Sequence, residues 1–398
     1  MSACARTRAR LGIVFVAVVA SLAGCSTGDD DEALVVYSSQ PLSADSGGLD
    51  MLRASQLALR EADGRAGSFQ VRIEALDSQN PDTAAADLDR VERNARRAAA
   101  DSRAIAYIGD PESDSTAVSL PILNRAGLLQ VSQSSTYVGL TRAEGAQPGE
   151  PERYYPSKRR TFARLVPADH LQAAALVEYM RREGVRTIVA VHDRSKYGSG
   201  LGRLAVGRAR EAGIALVGSP RDLDKESDEA AELLASDHDA VLATFTGTTP
   251  GRVVEKLLEP SAAPLVFLGD SASVQSTFQT LGDVAERARI TAPLGAMSGS
   301  TAERRFIEDF RNAFGYEPNP FAAYAYESMR RILWAIGRAG EAGDDRRAVI
   351  REFFTGGARR SLLGRYDIDR KGDTTSNAYG GFTVEDGELK LAEVLTAR

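Results

Sequence analysis

Along this chain, short apolar runs alternate with stretches of helical period, and the alternation occurs twice. Ala33–Tyr37 reads as a strand, and Leu49–Ala62 as a helix with Met51, Ala54, Ala58 and Ala62 on one face and Gly64 as its stop. Val71–Leu76 alternates as a strand. A helix is predicted to follow from an Asn80 cap and Pro81, with Ala84, Leu88, Val91, Ala95 and Ala98 in register. Ala104–Ile108, Ser115–Ala126 and Leu128–Val131 continue as strand, helix and strand. The second series has helices at Asp169–Glu183, Gly200–Ala212, Asp228–Ala235 and Pro250–Leu258. Its strands fall at Thr187–Val191, Ile214–Val217, Ala240–Thr244 and Leu265–Leu268. Two longer helices, Ala302–Phe314 and Phe321–Ala339, precede short strands around Tyr366–Ile368, Gly380–Val384 and Leu389–Val394. Such an order predicts an α/β protein of two doubly wound lobes, each a parallel sheet covered by helices on both faces.

The amino end breaks the pattern. Arg6, Arg8 and Arg10 precede an apolar segment, Leu11–Ala20, too short to span a bilayer, and Leu22-Ala23-Gly24-Cys25 closes it. Residues 1–24 therefore read as a signal peptide. Leu-Ala-Gly-Cys resembles the lipobox of bacterial lipoproteins, which implies lipidation at Cys25, with residues 25–33 as a lipid-anchored, acidic linker. The mature chain is thus expected outside the cytoplasm, tethered to the cell membrane. Loss of the three arginines takes the formal charge from −6 to −9, which argues against nucleic acid as a partner. Cys4 leaves with the signal and Cys25 carries lipid, so neither a disulfide nor a cysteine metal site is expected.

Candidate chemistry lies in the loops after strands, since ligands of doubly wound sheets bind at the strands' carboxyl ends. Gly109-Asp-Pro-Glu-Ser-Asp-Ser-Thr116 opens a helix, and Ser132-Gln-Ser-Ser-Thr136 follows the next strand. Serine commonly just caps a helix, but two hydroxyl loops on neighbouring strands suit the grip of a carboxylate. Enzyme signatures are weak. Gly200-Leu-Gly-Arg-Leu-Ala205 fits a loose dinucleotide pattern, yet about eight residues separate it from the preceding strand, where that fingerprint needs a tight turn. His170, His192 and His238 each adjoin an aspartate in sequence, where side chains diverge instead of converging into a relay. No catalytic residue, cofactor or metal site is predicted. Lys158-Arg159-Arg160 reads as a solvated linker.

The run from Tyr107-Ile-Gly-Asp through Ser113-Asp-Ser-Thr to Gly127-Leu-Leu-Gln-Val-Ser, Thr136 and Leu140-Thr141 resembles the branched-chain amino-acid-binding proteins of bacterial ABC importers. Pro41-Leu42-Ser43, Asp77-Ser78, Phe162 to Pro167-Ala-Asp169, His192-Asp193 with Lys196-Tyr197-Gly198, Phe267-Leu-Gly-Asp270 and Phe321 to Tyr326 extend the likeness in the same order. The resemblance implies the type I periplasmic binding protein fold with a multi-strand hinge. Lobe 1 would span 34–164 with 293–355 returning to it, and lobe 2 would span 165–292 with 356–398. It places a ligand carboxylate on Ser113 and Thr136, aided by the backbone at Ser134 and Ser135. Tyr197 would reach in from the second lobe, and Phe321 would pack on the ligand side chain.

Departures bear on the ligand. Where the family carries a glutamate for the ligand ammonium stands Ser271, and where it has a tyrosine stand Thr248 and Thr249. Asp270 is then the candidate for the ammonium, with an acid of the Asp110–Glu112–Asp114 loop as the alternative. The implied function is a monomeric, membrane-anchored receptor that captures a small polar solute, an amino acid or analogue, and delivers it to an ABC permease. A surface sensor of the same fold and a secreted hydrolase are the alternatives.

Overall fold

The structure, a computed structural model, describes residues 32–43, 47–80, 86–223, 228–258 and 264–397; the signal segment and Cys25 lie outside them. The first series is β1 (Leu34–Gln40), α1 (Gly48–Glu61), β2 (Arg65–Ala66), β3 (Phe69–Asp77), α2 (Leu88–Ala100), β4 (Ala104–Ile108), α3 (Ser113–Arg125), β5 (Leu129–Ser132) and β6 (Phe162–Arg164). Its strands form one sheet in the order β2-β3-β1-β4-β5-β6, parallel except for β2 on β3. The central strand β1 is buried throughout, which its apolar run predicts for a sheet covered on both faces. Side chains alternate along it. Leu34 and Val36 join one core with α1, while Val35 and Tyr37 join another with Ala95 and Ala98 of α2 and Leu123 of α3.

The second series is α4 (Asp169–Arg182), β7 (Thr187–His192), α5 (Lys196–Glu211), β8 (Ala215–Leu216), β9 (Arg221–Asp222), α6 (Asp228–Leu234), β10 (Ala240–Thr244), α7 (Thr248–Leu258), β11 (Leu265–Leu268), α8 (Gln275–Phe278) and β12 (Ala288–Pro293). α9 (Thr301–Phe314), α10 (Phe321–Ala339), α11 (Arg346–Thr355) and the hairpin β13 (Arg359–Ser361) with β14 (Gly364–Tyr366) follow, before β15 (Ala378–Glu385) and β16 (Glu388–Thr396). The second sheet runs β16-β15-β12-β11-β10-β7-β8, with β9 also on β7. Phe306, Phe310, most of α10, Val349, Phe353, Leu362, Leu363, Tyr366 and Ile368 pack into the core of the first sheet, whereas β15 and β16 complete the second. The result is the doubly wound α/β architecture that the alternation predicts.

Boundaries moved where side-chain bonds overrule periodicity. Residues 81–85 of the helix expected from Asn80 lie outside the described residues; the described helix starts at Leu88, where the Asp87 carboxylate caps the N–H groups of Asp89 and Arg90 and Asp87 N–H donates to Ser78 O at 2.8 Å. Leu88 is consequently exposed instead of facing the core. α5 begins a turn before the expected Gly200, because Ser195 Oγ caps Gly198 N–H at 2.8 Å.

The chain crosses between the sheets after β6, after β12 and before β15. The first and third crossings are clamped together. Arg164 N–H donates to Gly372 O at 2.9 Å, and the fully buried Arg164 guanidinium donates to Asp373 Oδ1 at 2.9 Å. Its remaining donors reach Ser135 O, Tyr137 O and Thr141 Oγ1. Arg142 adds a 2.5 Å contact to Asp373 Oδ2. Burial opposes the Asp373 charge, but Arg164 and Arg142 outweigh it and hold this carboxyl down at about 2. Gly372 has φ +100°, and a Cβ there would sit 2.1 Å from Phe162 O, so the close crossing needs glycine.

Candidate functional site

Chain topology picks out the crevice. In the first sheet the winding direction reverses between β1 and β4, and in the second between β7 and β10. The carboxyl ends of these strands carry Pro41, the Gly109–Ser113 loop, the Asp193–Tyr197 loop and Phe245–Thr248.

On the first-sheet side, the two hydroxyl loops are knitted together. Ser135 Oγ donates to Asp110 O at 2.9 Å and lies 2.7 Å from Thr116 Oγ1; Ser132 Oγ donates to Asp110 O at 2.7 Å, and Ser134 Oγ to Pro111 O at 2.9 Å. The backbone N–H groups of Ser134 and Ser135, expected to aid a carboxylate, point instead to Ser132 Oγ at 3.4 and 3.0 Å. Two hydroxyls differ. Ser113 Oγ, at the first turn of α3, accepts from Tyr137 N–H at 3.2 Å and keeps its own proton for donation. Thr136 Oγ1 is buried with no hydrogen-bond partner among the described residues.

From the second sheet, Tyr197 on α5 donates its hydroxyl to Asp270 Oδ1 at 2.7 Å, and Ser271 N–H lies 3.4 Å from the same phenol oxygen. Asp270 is not a helix cap; Gly269 holds that position, and the buried carboxylate keeps Oδ2 without a partner. Burial drives Asp270 up to about 6 against the opposing contacts of Tyr197 and Gln172. Asp169, at the start of α4, rises to about 7: burial leads, the Thr136 hydroxyl opposes it, and the charge of Asp270 adds to it. Asp169 N–H donates to Thr136 O at 2.9 Å, and the charge of Asp270 is near enough to act on the Asp169 carboxyl.

Phe321 opens α10, its N–H held by Asn319 Oδ1 at 2.9 Å, and its ring lies 6.3 Å from that of Tyr324 in the core of the first sheet. The Tyr324 phenol is held up by burial and then by the charge of Asp270. The acids of the first loop divide. Asp110 is sealed under the loop on the Tyr107 hydroxyl at 3.1 Å, while Asp114 Oδ2 accepts from Lys196 N–H at 2.9 Å across the sheets. Glu112 is raised to about 7 by burial, with the Ala86 N–H opposing and Asp114 and Asp110 adding.

Lys196 also approaches the buried Glu150 at 3.7 Å, and Glu150 accepts from both Tyr137 and Tyr154 hydroxyls at 2.6 Å. The glycines that looked like a dinucleotide turn lie within α5, and a Cβ at Gly200 would stand 2.8 Å from the Tyr137 ring. They permit close packing. His192 and His238 bind backbone carbonyls through Nδ1, and burial drives His170 down to about 4. Sequence reasoning missed Gln172 and the Arg164–Asp373 clamp, whose partners are 209 residues apart in the chain.

A family model described as periplasmic binding protein matches residues 34–388. The chain belongs to the periplasmic binding protein family. Its members bind solutes outside the cytoplasm and are not catalysts, and the sequence resemblance to branched-chain amino-acid-binding proteins agrees with this. An "amino acid binding protein" of Pseudomonas aeruginosa is 23% identical over 298 residues, covering 73% of this chain and 75% of the relative. A leucine-binding protein of Thermotoga maritima superposes with TM-score 0.78 at 20% identity, covering 92% of this chain and 99% of that one. A branched-chain amino-acid transporter substrate-binding protein of Streptococcus pneumoniae, in complex with isoleucine, gives 0.75 at 18% identity, covering 92% and 99%. A solute-binding protein of R. palustris in complex with benzoate gives 0.74 at 14% identity, covering 92% and 97%.

Proposed function

We propose that this periplasmic binding protein captures a small zwitterion, an amino acid or close analogue, and hands it to an ABC permease while a lipid on Cys25 holds it to the membrane. One observation carries the reading. The hydroxyls of Thr136 and Ser113 stand on one side, and the buried Asp270 carboxylate stands on Tyr197 opposite. Hydroxyl donors suit a carboxylate and the acid suits an ammonium. The two lobes are the two sheets with their helices. We place the third crossing after Ile368 rather than at 356, since residues 362–368 share the first core. Contacts made by both lobes to the ligand favour the closed form. Solved proteins of this fold hold isoleucine in one case and benzoate in another, so the fold alone does not choose between zwitterion and plain carboxylate. A thermal-shift screen of amino acids, polyamines and small carboxylates tests the choice, because a ligand of the native state raises Tm. An amino acid should give the largest shift; a polyamine or an amine-free acid in first place contradicts the reading.

A further inference from the structure

Between β5 and β6 the chain makes a long excursion, and its residues 137–155 belong to the first lobe but lean on the second. Tyr137 N–H donates to Ser113 Oγ on α3 at 3.2 Å, and Tyr137 O accepts from the Arg164 guanidinium at 2.8 Å, so the segment is rooted in the first sheet. At its centre the buried Glu150 carboxylate is fully employed. Oε1 accepts from the Tyr154 hydroxyl at 2.6 Å, and Oε2 from the Tyr137 hydroxyl at 2.6 Å and from Gln147 N–H at 3.0 Å. Helix α5 of the second lobe lies against this segment. Lys196 Nζ stands 3.7 Å from Glu150 Oε1 and 5.5 Å from the centre of the Tyr137 ring. Arg203 Nη2 donates to Gly145 O at 2.7 Å, and Leu204 packs on the cluster that holds Tyr137, Val138 and Tyr154. Gly200 lets the helix come close, since a Cβ there would stand 2.8 Å from the Tyr137 ring. Positions 196, 200, 203 and 204 share one face of α5, so a single helix face makes the whole contact. None of these contacts involves Thr136, Asp270 or a solute.

The contact is built to part. Glu150 keeps its three donors without Lys196, while Gly145 O and both cationic head groups can turn to water, so separation leaves no buried charge unpaired. We propose that residues 137–155 form a strap by which the first lobe holds α5 of the second before any solute arrives, with Lys196 and Arg203 as its releasable contacts. This rests on the reading of the two sheets as lobes that close on a solute. It adds that contacts independent of the solute already favour the closed arrangement, so that the solute completes a closure instead of creating it.

The test is small-angle X-ray scattering of the whole protein, dialysed free of solute, against its Lys196→Met, Arg203→Ala and combined variants, with thermal melts of each. All carry Cys25→Ala, so that no lipid associates the molecules. Without solute, the parent should be as compact as it is with a saturating mixture of the common L-amino acids. The combined variant should show a larger radius of gyration without solute, the single variants should fall between, and all should still melt in one cooperative transition. Adding the amino acids should bring the variants back to the compact form. Variants as compact as the parent without solute overturn the strap, and so does a parent that contracts on adding amino acids as far as the combined variant does; either result leaves the receptor reading standing. Should the combined variant fail to fold, the two single variants decide by the same comparison. Amino acids that change neither the melt nor the scattering of any form overturn the zwitterion reading, while the solute-free comparison still decides the strap.

Discussion

Thr136 and Ser113 share a loop pair but not an energetic role. The Thr136 hydroxyl has the Asp169 carboxyl as its one neighbour of consequence among the described residues, so Thr136→Ala should lower Tm only slightly while weakening amino-acid binding by about 1–3 kcal/mol, the worth of a hydrogen bond to a buried charge. Ser113→Ala should weaken binding similarly and also lower stability by about 1 kcal/mol, because Tyr137 N–H loses its acceptor. Calorimetric titration and thermal melts of both variants separate the two effects; unchanged affinity in both would leave them as structural hydroxyls.

The acids set the pH dependence. Asp169 and Asp270 have folded values of about 7 and 6, above the unfolded 3.8, so the native state binds more protons between these limits. Their contribution to the unliganded protein's stability is therefore fully present below about pH 4 and is lost as pH rises toward 7. Asp373 has the opposite sign: its contribution is present above pH 3.8 and lost as pH falls through about 2. Melts across pH 4–8 should show a decline on raising pH that Asp169→Asn flattens; a parallel decline in the variant would contradict the assignment. The loops that carry Ser113 and Thr136 stand out in the sequence because they follow strands, whereas Tyr197 and Asp270 come from the family resemblance. The influence of Asp270 on Asp169 was not legible there, since 101 positions part them and only the fold brings α4 near the loop after β11.

At the level of elements, periodicity located α1, α3, α4, α5, α7, α9 and α10, each of which packs an apolar stripe on a sheet, but it missed α11, whose Val349 and Phe353 join the first core. The 3₁₀ turns between Asp270 and Arg287 escaped it, because side-chain and loop hydrogen bonds decide their shape. The same holds for the clamp. Asp373→Asn leaves the Arg164 charge buried with weakened compensation and should cost about 3–5 kcal/mol, the usual penalty for breaking a buried pair. Replacing both, Arg164→Met with Asp373→Leu, should cost less than the two single changes together. Urea melts measure this; additive losses would mean that the crossings are not coupled. In α5, Gly200→Ala drives a methyl into the Tyr137 ring and should destabilise by about 1–3 kcal/mol through overpacking.

For the whole molecule, the two switch points face one another. The Asp114–Lys196 contact and the Lys196–Glu150 pair span the same gap, so the lobes already touch at the rim of the site. A solute held by Ser113 and Thr136 on one lobe and by Asp270 on the other would add to those contacts and favour closure. Anchoring is separable from capture. Cys25→Ala should release the protein from the membrane fraction with ligand affinity intact; a variant still membrane-bound after a salt wash would contradict lipidation at that residue.

The most direct measurement is a crystal structure of the protein with the amino acid that gives the largest thermal shift. The account predicts the ligand between the two sheets, its carboxylate within about 3 Å of Ser113 Oγ and Thr136 Oγ1 and its ammonium at the same distance from Asp270. A ligand bound elsewhere, or bound there with its nitrogen turned away from Asp270, would contradict it.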